Sequence, residues 1–366
     1  MSGNDTDYSA RLHDYETGIL HYLRTLESIQ EHLRLGSVKE SQAELVAATA
    51  DTFRRFNSEF TTVTPPESAG EFHSRFTSAV GELEKSFNLF MTAPSQNWTL
   101  AFLYSRRSFC RALYTLYDLR AQLPTLSKYF VIEGEDAAAD SAPANQTAPG
   151  VRVGFTHRER NAERSDYSLY VPENYTPNRQ WPLIVCLHGG YGAGSEYIMT
   201  WLRPARTRGY MLLSPKSLGD TWSMTQNSID THSVIRMLGE VADQYAVDNS
   251  RIYLTGLSDG GIFTYIMGLE RHELFAGLAP VAGALHMAAD PMLREGRGKD
   301  VPIFVIHGVH DFIFPVAFTR QTNQLLSSLG YNLKYEELPD WGHALTYSIN
   351  ERLVMPWIES LPPRGK

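Results

Sequence analysis

The chain has 366 residues, 43% of them hydrophobic, with no apolar run long enough to span a bilayer, so its length and composition predict two domains, each with its own core, and no membrane partner. Against 41 acidic residues stand 33 basic ones, a formal charge of −8 that argues against nucleic acid as a partner. The first thirty residues carry several charges and no basic segment followed by an apolar core, which reads as a protein that is not exported and stays in the cytoplasm.

Residues 1–132 read as helices. Leu12, Ile19, Leu26 and Leu33 recur every seven residues with Tyr15, Tyr22 and Ile29 between them, an apolar seam on a long helix that Gly36 should stop. A second helix is expected over 38–60, ended by Pro65-Pro66. A third is marked by Phe72, Phe76, Val80, Leu83, Phe87 and Phe90, and a fourth runs from Trp98 to Leu119. The pattern predicts an up-and-down bundle spanning 7–123, with internal packing of the seam as first reading and a lid or a homo-oligomer interface as second. Residues 133–150 are rich in Ala, Asp, Ser and Pro and read as a linker. The two cysteines, Cys110 in a helix and Cys186 in a strand, are expected to be buried free thiols.

From 151 to 366 apolar runs alternate with helical patterns. Strands are expected near 151–157, 166–171, 182–187, 209–214, 251–255, 276–281, 302–307 and 332–338, which makes an α/β unit with a mostly parallel eight-stranded sheet covered on both faces. Ligands in such sheets bind beyond the carboxyl ends of the strands, and the conspicuous motifs all fall there. His188-Gly189-Gly190-Tyr191-Gly192 follows the third strand. Gly256-Leu257-Ser258-Asp259-Gly260 follows the fifth, and flanking glycines permit the sharp strand-to-helix turn that exposes a serine hydroxyl. His307-Gly308-Val309-His310-Asp311 follows the seventh, and Trp341-Gly342-His343 the eighth.

A serine hydroxyl is protonated at neutral pH and needs a base to attack a carbonyl. His343 is the candidate base and Asp311 the candidate carboxylate that orients it and stabilises its imidazolium, with Asp290 and Asp340 as rival carboxylates and His310 as a rival base. The oxyanion of a tetrahedral intermediate would be held by the backbone N–H groups of Asp259 and Gly190, with Tyr191 N–H as second choice. His188 is expected to support its loop by hydrogen bonds. Tyr191, Trp222, Met224, Phe312, Phe314 and Trp341 are candidate walls of an apolar pocket.

The glycine-rich loop after His188 lacks the Gly-Lys-Ser/Thr ending and the spacing of nucleotide-binding loops, and the histidines lack metal-ligand spacing, so neither a cofactor nor a metal is expected. In these motifs residues 151–362 resemble the α/β-hydrolases, above all the serine esterases of the polyhydroxybutyrate-depolymerase-like and feruloyl-esterase-like type. The resemblance rests on Leu187-His188-Gly189-Gly190, the block Val247–Gly261, the strand Leu274–Gly283 and the loop His307–Asp311 with Pro315. It implies an α/β-hydrolase fold and hydrolysis of a small-molecule carboxylic ester, short acyl or hydroxycinnamoyl, through an acyl-enzyme. Peptide hydrolysis on the same fold and a non-catalytic scaffold are the alternatives. The sequence departs from the family in Gly190, where depolymerase-like members often carry cysteine, and in Asp259, which places a negative charge beside the nucleophile.

Overall fold

The computed structural model describes residues 3–33, 35–92, 98–141, 151–161 and 164–365. They form two compact units, Met1–Glu133 and Gly134–Lys366. Most of the expected linker, residues 142–150, lies outside the described residues.

The first unit holds α1 (Gly3–His32), α2 (Val38–Arg55), α3 (Gly70–Met91) and α4 (Trp98–Leu119). Most of the seven-residue seam faces inward: Tyr15, Ile19, Tyr22, Leu26 and Ile29 of α1 are buried, as is Leu33 just past its end, while Leu12 is half-buried. They meet aromatic residues of the other helices, as where Tyr22 packs edge-on against Phe53 with ring centroids 4.9 Å apart and its hydroxyl donates to the Leu83 carbonyl. The second expected helix divides, its last turn at Phe56–Phe60 widening so that both phenylalanines remain buried beside Tyr15. Among the described residues no helix is long and apolar enough to cross a membrane.

The second unit is built on an eight-stranded sheet of order β1-β2-β4-β3-β5-β6-β7-β8. Its strands are β1 (Gly154–Asn161), β2 (Arg164–Val171), β3 (Trp181–Leu187), β4 (Met211–Pro215), β5 (Val247–Leu257), β6 (Gly277–Val281), β7 (Ile303–Gly308) and β8 (Leu333–Leu338). β2 runs antiparallel to both β1 and β4, and all other pairs are parallel. Every residue of β3, β4, β6 and β7 is buried, as their continuous apolar runs require in a sheet covered on both faces. β5 starts earlier than its apolar run suggests, because Val247 pairs with Trp181 across a register shift and draws the polar Asp248-Asn249-Ser250 into the strand.

Between the strands lie α5 (Gly194–Tyr197), α6 (Leu202–Arg208), α7 (Ile229–Gln244), α8 (Asp259–Glu270), α9 (Asp290–Glu295) and α10 (Val316–Ser328). α7 starts where the Ser228 hydroxyl accepts the Thr231 N–H at 3.1 Å, a side-chain cap that satisfies one of the free donors of the first turn. α8 is buried from Gly260 to Leu269 and lies against β3, β5 and β6, so its first turn is fixed rigidly at the carboxyl edge of the sheet.

Candidate active site

Between β5 and α8 there is no loop, only Ser258, whose φ of 59° and ψ of −121° lie where side chains other than glycine are strained by roughly 1–3 kcal/mol. The turn closes because its neighbours have no side chains. A Cβ on Gly256 would run into the Gly260 carbonyl, and one on Gly260 into the carbonyls of Leu187 and His188. Ser258 N–H donates to the Val281 carbonyl at 3.0 Å, which ties the turn to the end of β6. Gly256→Ala should therefore lower stability by about 1–3 kcal/mol or more, read as a lower urea midpoint, with loss of any Ser258-dependent activity.

His343, in the segment after β8, reaches two partners. Its Nε2 lies 2.8 Å from Ser258 Oγ and its Nδ1 2.8 Å from Asp311 Oδ2. Since the carboxylate can only accept, Nδ1 carries the proton and Nε2 presents its lone pair to the serine O–H. The other carboxylate oxygen, Asp311 Oδ1, accepts the N–H groups of Ile313 and Phe314 at 2.8 and 2.7 Å. Burial pushes the Asp311 carboxyl up, but the His343 hydrogen bond and charge and these two N–H groups outweigh it and hold the group below the usual carboxylate range. The rivals Asp290 and Asp340 are not the partners of His343, and the backbone N–H of His310 donates to the Trp341 carbonyl at 2.8 Å, joining the loops that carry Asp311 and His343.

Beneath Asp311 sits His307, 1% exposed, which sequence reasoning treated only as part of a motif. Its Nε2–H donates to the Phe314 carbonyl at 2.7 Å, so Nδ1 accepts the Thr319 hydroxyl at 2.9 Å. The imidazole thereby fixes the turn that carries Asp311. Burial is the main cause that lowers its pKa. A depressed pKa means the native state binds fewer protons than the unfolded chain, so this contribution is complete above about pH 6.5 and is lost as pH falls toward the folded value. Urea midpoints of the protein should drop on acidification below about 6.5, and His307→Gln should show a smaller drop over the same interval.

Opposite the histidine, the Gly189-Gly190 segment borders the serine: a Cβ on Gly189 would stand 3.4 Å from Ser258 Cβ and 4.0 Å from Oγ. Among the described residues the N–H groups of Gly190 and Asp259 have no acceptor, the latter because it opens α8. Tyr191 differs from expectation. Its N–H donates to the Asp220 carbonyl at 2.7 Å and is therefore not available as an oxyanion donor. The His188 ring is fully buried, with Nδ1–H donating to the Gly189 carbonyl at 2.6 Å and Nε2 accepting Ser217 N–H at 3.1 Å, which is the supporting role expected of it.

Residues 217–223 form a strap against this loop that the sequence did not reveal. Asp230, 1% exposed, holds both its ends: Oδ1 accepts Leu218 N–H at 2.9 Å, and Oδ2 accepts the N–H and hydroxyl of Ser223 at 2.7 and 2.9 Å. Between them, Trp222 Nε1–H donates to the His188 carbonyl at 2.7 Å and the Thr221 hydroxyl donates to Asp259 Oδ2. Trp222 is consequently a correction to the list of pocket walls. It is 2% exposed and stacked on Phe263 at 5.0 Å, a support under the loop and not a surface that a ligand can touch.

Of the other candidate walls, Phe312 and Phe314 stand edge-on to His343 at 6.4 and 5.7 Å, Tyr191 and Phe312 are exposed, Met224 packs against the core and Trp341 is 9% exposed. Cys110 and Cys186 are buried free thiols. Among the described residues no group of three or more His, Cys, Asp or Glu is arranged to hold a metal ion.

Residues 214–353 match the family model described as phospholipase/carboxylesterase. A bifunctional acetylxylan esterase/xylanase of Neocallimastix patriciarum is 32% identical over 161 residues, which is 42% of this chain and 22% of that protein. Feruloyl esterase C of Emericella nidulans is 26% identical over 180 residues, 47% of this chain and 64% of the enzyme. A poly(3-hydroxyalkanoate) depolymerase C of Paucimonas lemoignei is 27% identical over 135 residues, 34% of this chain and 32% of the enzyme. The chain thus matches less than two thirds of the length of each of these relatives, two of which are named as esterases. Its second unit has the α/β-hydrolase fold, as the motifs implied.

Proposed function

We propose that this chain, with its α/β-hydrolase unit, is a serine carboxylesterase working through Ser258, His343 and Asp311. The observation that carries the reading is the bridge made by one imidazole, 2.8 Å from a serine oxygen on one side and 2.8 Å from a buried carboxylate on the other. In the first step Ser258 Oγ bonds to the ester carbonyl carbon while its proton passes to His343 Nε2. The carbonyl oxygen becomes an oxyanion facing the N–H groups of Gly190 and Asp259. Asp311 stays ionised and stabilises the imidazolium. Collapse breaks the bond to the leaving alcohol, which takes the proton from His343. Water then attacks the acyl carbon and gives its proton to the same nitrogen, and collapse breaks the bond to Ser258 Oγ, which takes that proton back as the carboxylic acid leaves.

The relatives' names and the phenyl rings beside His343 support short acyl and hydroxycinnamoyl esters as substrates. Labelling with a fluorophosphonate followed by peptide mapping tests the nucleophile, and comparison of p-nitrophenyl acetate, p-nitrophenyl butyrate and methyl ferulate with matched amides tests the substrate class. An adduct elsewhere, or amides turned over as fast as esters, would reject the reading.

A further inference from the structure

Asp259 is an unexpected residue to find after a nucleophile that generates an oxyanion. Its backbone N–H is one of the proposed oxyanion donors, and its carboxylate lies against the other: a Cβ placed on Gly190 would be 2.6 Å from Asp259 Oδ2. The carboxylate cannot turn away without breaking its bond from the Thr221 hydroxyl. Thr221 is itself held, because its neighbours Asp220 and Trp222 bond to Tyr191 and His188 and because Asp230 fixes both ends of the strap. Among the described residues Asp259 has no ion-pair partner, so the charge is not neutralised by a neighbouring cation. The first turn of α8 favours an anion at this place, but it would favour a bound anion at the oxyanion hole equally. The two negative charges compete for one helix end.

The effect of a fixed negative charge differs along the reaction. In the tetrahedral transition state the oxyanion is accompanied by the imidazolium of His343, and the reacting assembly carries no net charge relative to the bound ester. After deacylation and loss of the acid proton to solvent, the imidazole is neutral and the product is a carboxylate with net charge −1 in the same hole. Coulomb repulsion from Asp259 therefore acts on the product more than on the transition state, and equally on any acyl group that brings an anion of its own.

Resting on the proposed esterase reading, we propose that Asp259 is a specificity-determining residue: it weakens the binding of the carboxylate product and selects uncharged acyl groups over anionic ones. Asp259→Asn keeps an acceptor for Thr221 and removes the charge. In competition against p-nitrophenyl butyrate hydrolysis, butyrate should inhibit this variant at a concentration about three- to tenfold lower than the parent, a difference that shrinks as salt is raised. The kcat/KM for p-nitrophenyl hemisuccinate relative to p-nitrophenyl butyrate should rise by a similar factor. Asp259→Ser is the second variant, expected to shift both ratios in the same direction. Unchanged butyrate inhibition and an unchanged hemisuccinate preference in both variants overturn the proposal, as does loss of cooperative unfolding in both, which would make Asp259 a structural residue. If the parent protein hydrolyses none of these esters, the esterase reading itself fails, an outcome distinct from a fully active parent with unaltered selectivity in the variants.

Discussion

Ser258→Ala should reduce kcat for p-nitrophenyl acetate by about five to six orders of magnitude, while leaving the protein folded. The substitution deletes one oxygen. What it leaves is the strained turn, which the glycines at 256 and 260 and the hydrogen bond from residue 258 N–H to the Val281 carbonyl maintain without help from the side chain. His343 also keeps its Asp311 partner. A residual rate above water would come from donors and pocket alone and would not form an acyl-enzyme. The measurement is steady-state hydrolysis with a thermal melt as control for folding. Retention of more than about one per cent of the parent rate by a purified variant would show that another group carries the chemistry, because among the described residues no other hydroxyl shares the bond to His343 Nε2.

Asp311→Asn is expected to lower kcat by about four orders of magnitude, the size of effect seen where a triad carboxylate becomes an amide. Here the geometry gives a specific reason. Both oxygens of Asp311 are acceptors, one for His343 Nδ1–H and the other for the N–H groups of Ile313 and Phe314. An asparagine has one acceptor oxygen. If that oxygen faces the two backbone donors, the amide NH2 faces His343 Nδ1, which must then carry a lone pair, and the proton moves to Nε2 where the serine proton has to go. If the amide is reversed, its NH2 confronts two N–H groups in a buried turn, leaving donors without partners. Either orientation disables the base or the loop. Comparing Asp311→Asn with Asp311→Glu separates the two costs, and a variant within about tenfold of the parent rate would mean that His343 does not depend on this carboxylate.

The apolar runs and the glycine spacing carried most of the architecture. Continuous Val, Ile and Leu stretches, each followed by a glycine-containing motif, indicate buried parallel strands and where their carboxyl ends lie, and the observed sheet has those strands with boundaries shifted by a few residues. The early start of β5 comes from a pairing with Trp181 that no local pattern encodes. The heptad seam of α1 shows the limit of periodicity: it announces a face that must be covered but not by what, and only the packing of Phe53, Phe56 and Phe60 against it shows an internal answer.

By itself the sequence determined which side chains are candidates for chemistry and in what order they occur, since a serine between glycines, an acid after one strand and a histidine after the last are local features of composition and spacing. Tertiary structure alone decided which backbone donors are left to act. Tyr191 N–H is taken by Asp220, Trp222 is turned under the loop to hold the His188 carbonyl, and Asp230, which in the sequence is one more acid in the first turn of a helix, fixes a strap of seven residues, 217–223. The physical reason is that a hydrogen-bond donor can be committed to an acceptor far away in the chain. Its availability is settled when loops from different strands meet, and that meeting leaves no signature in the residues on either side.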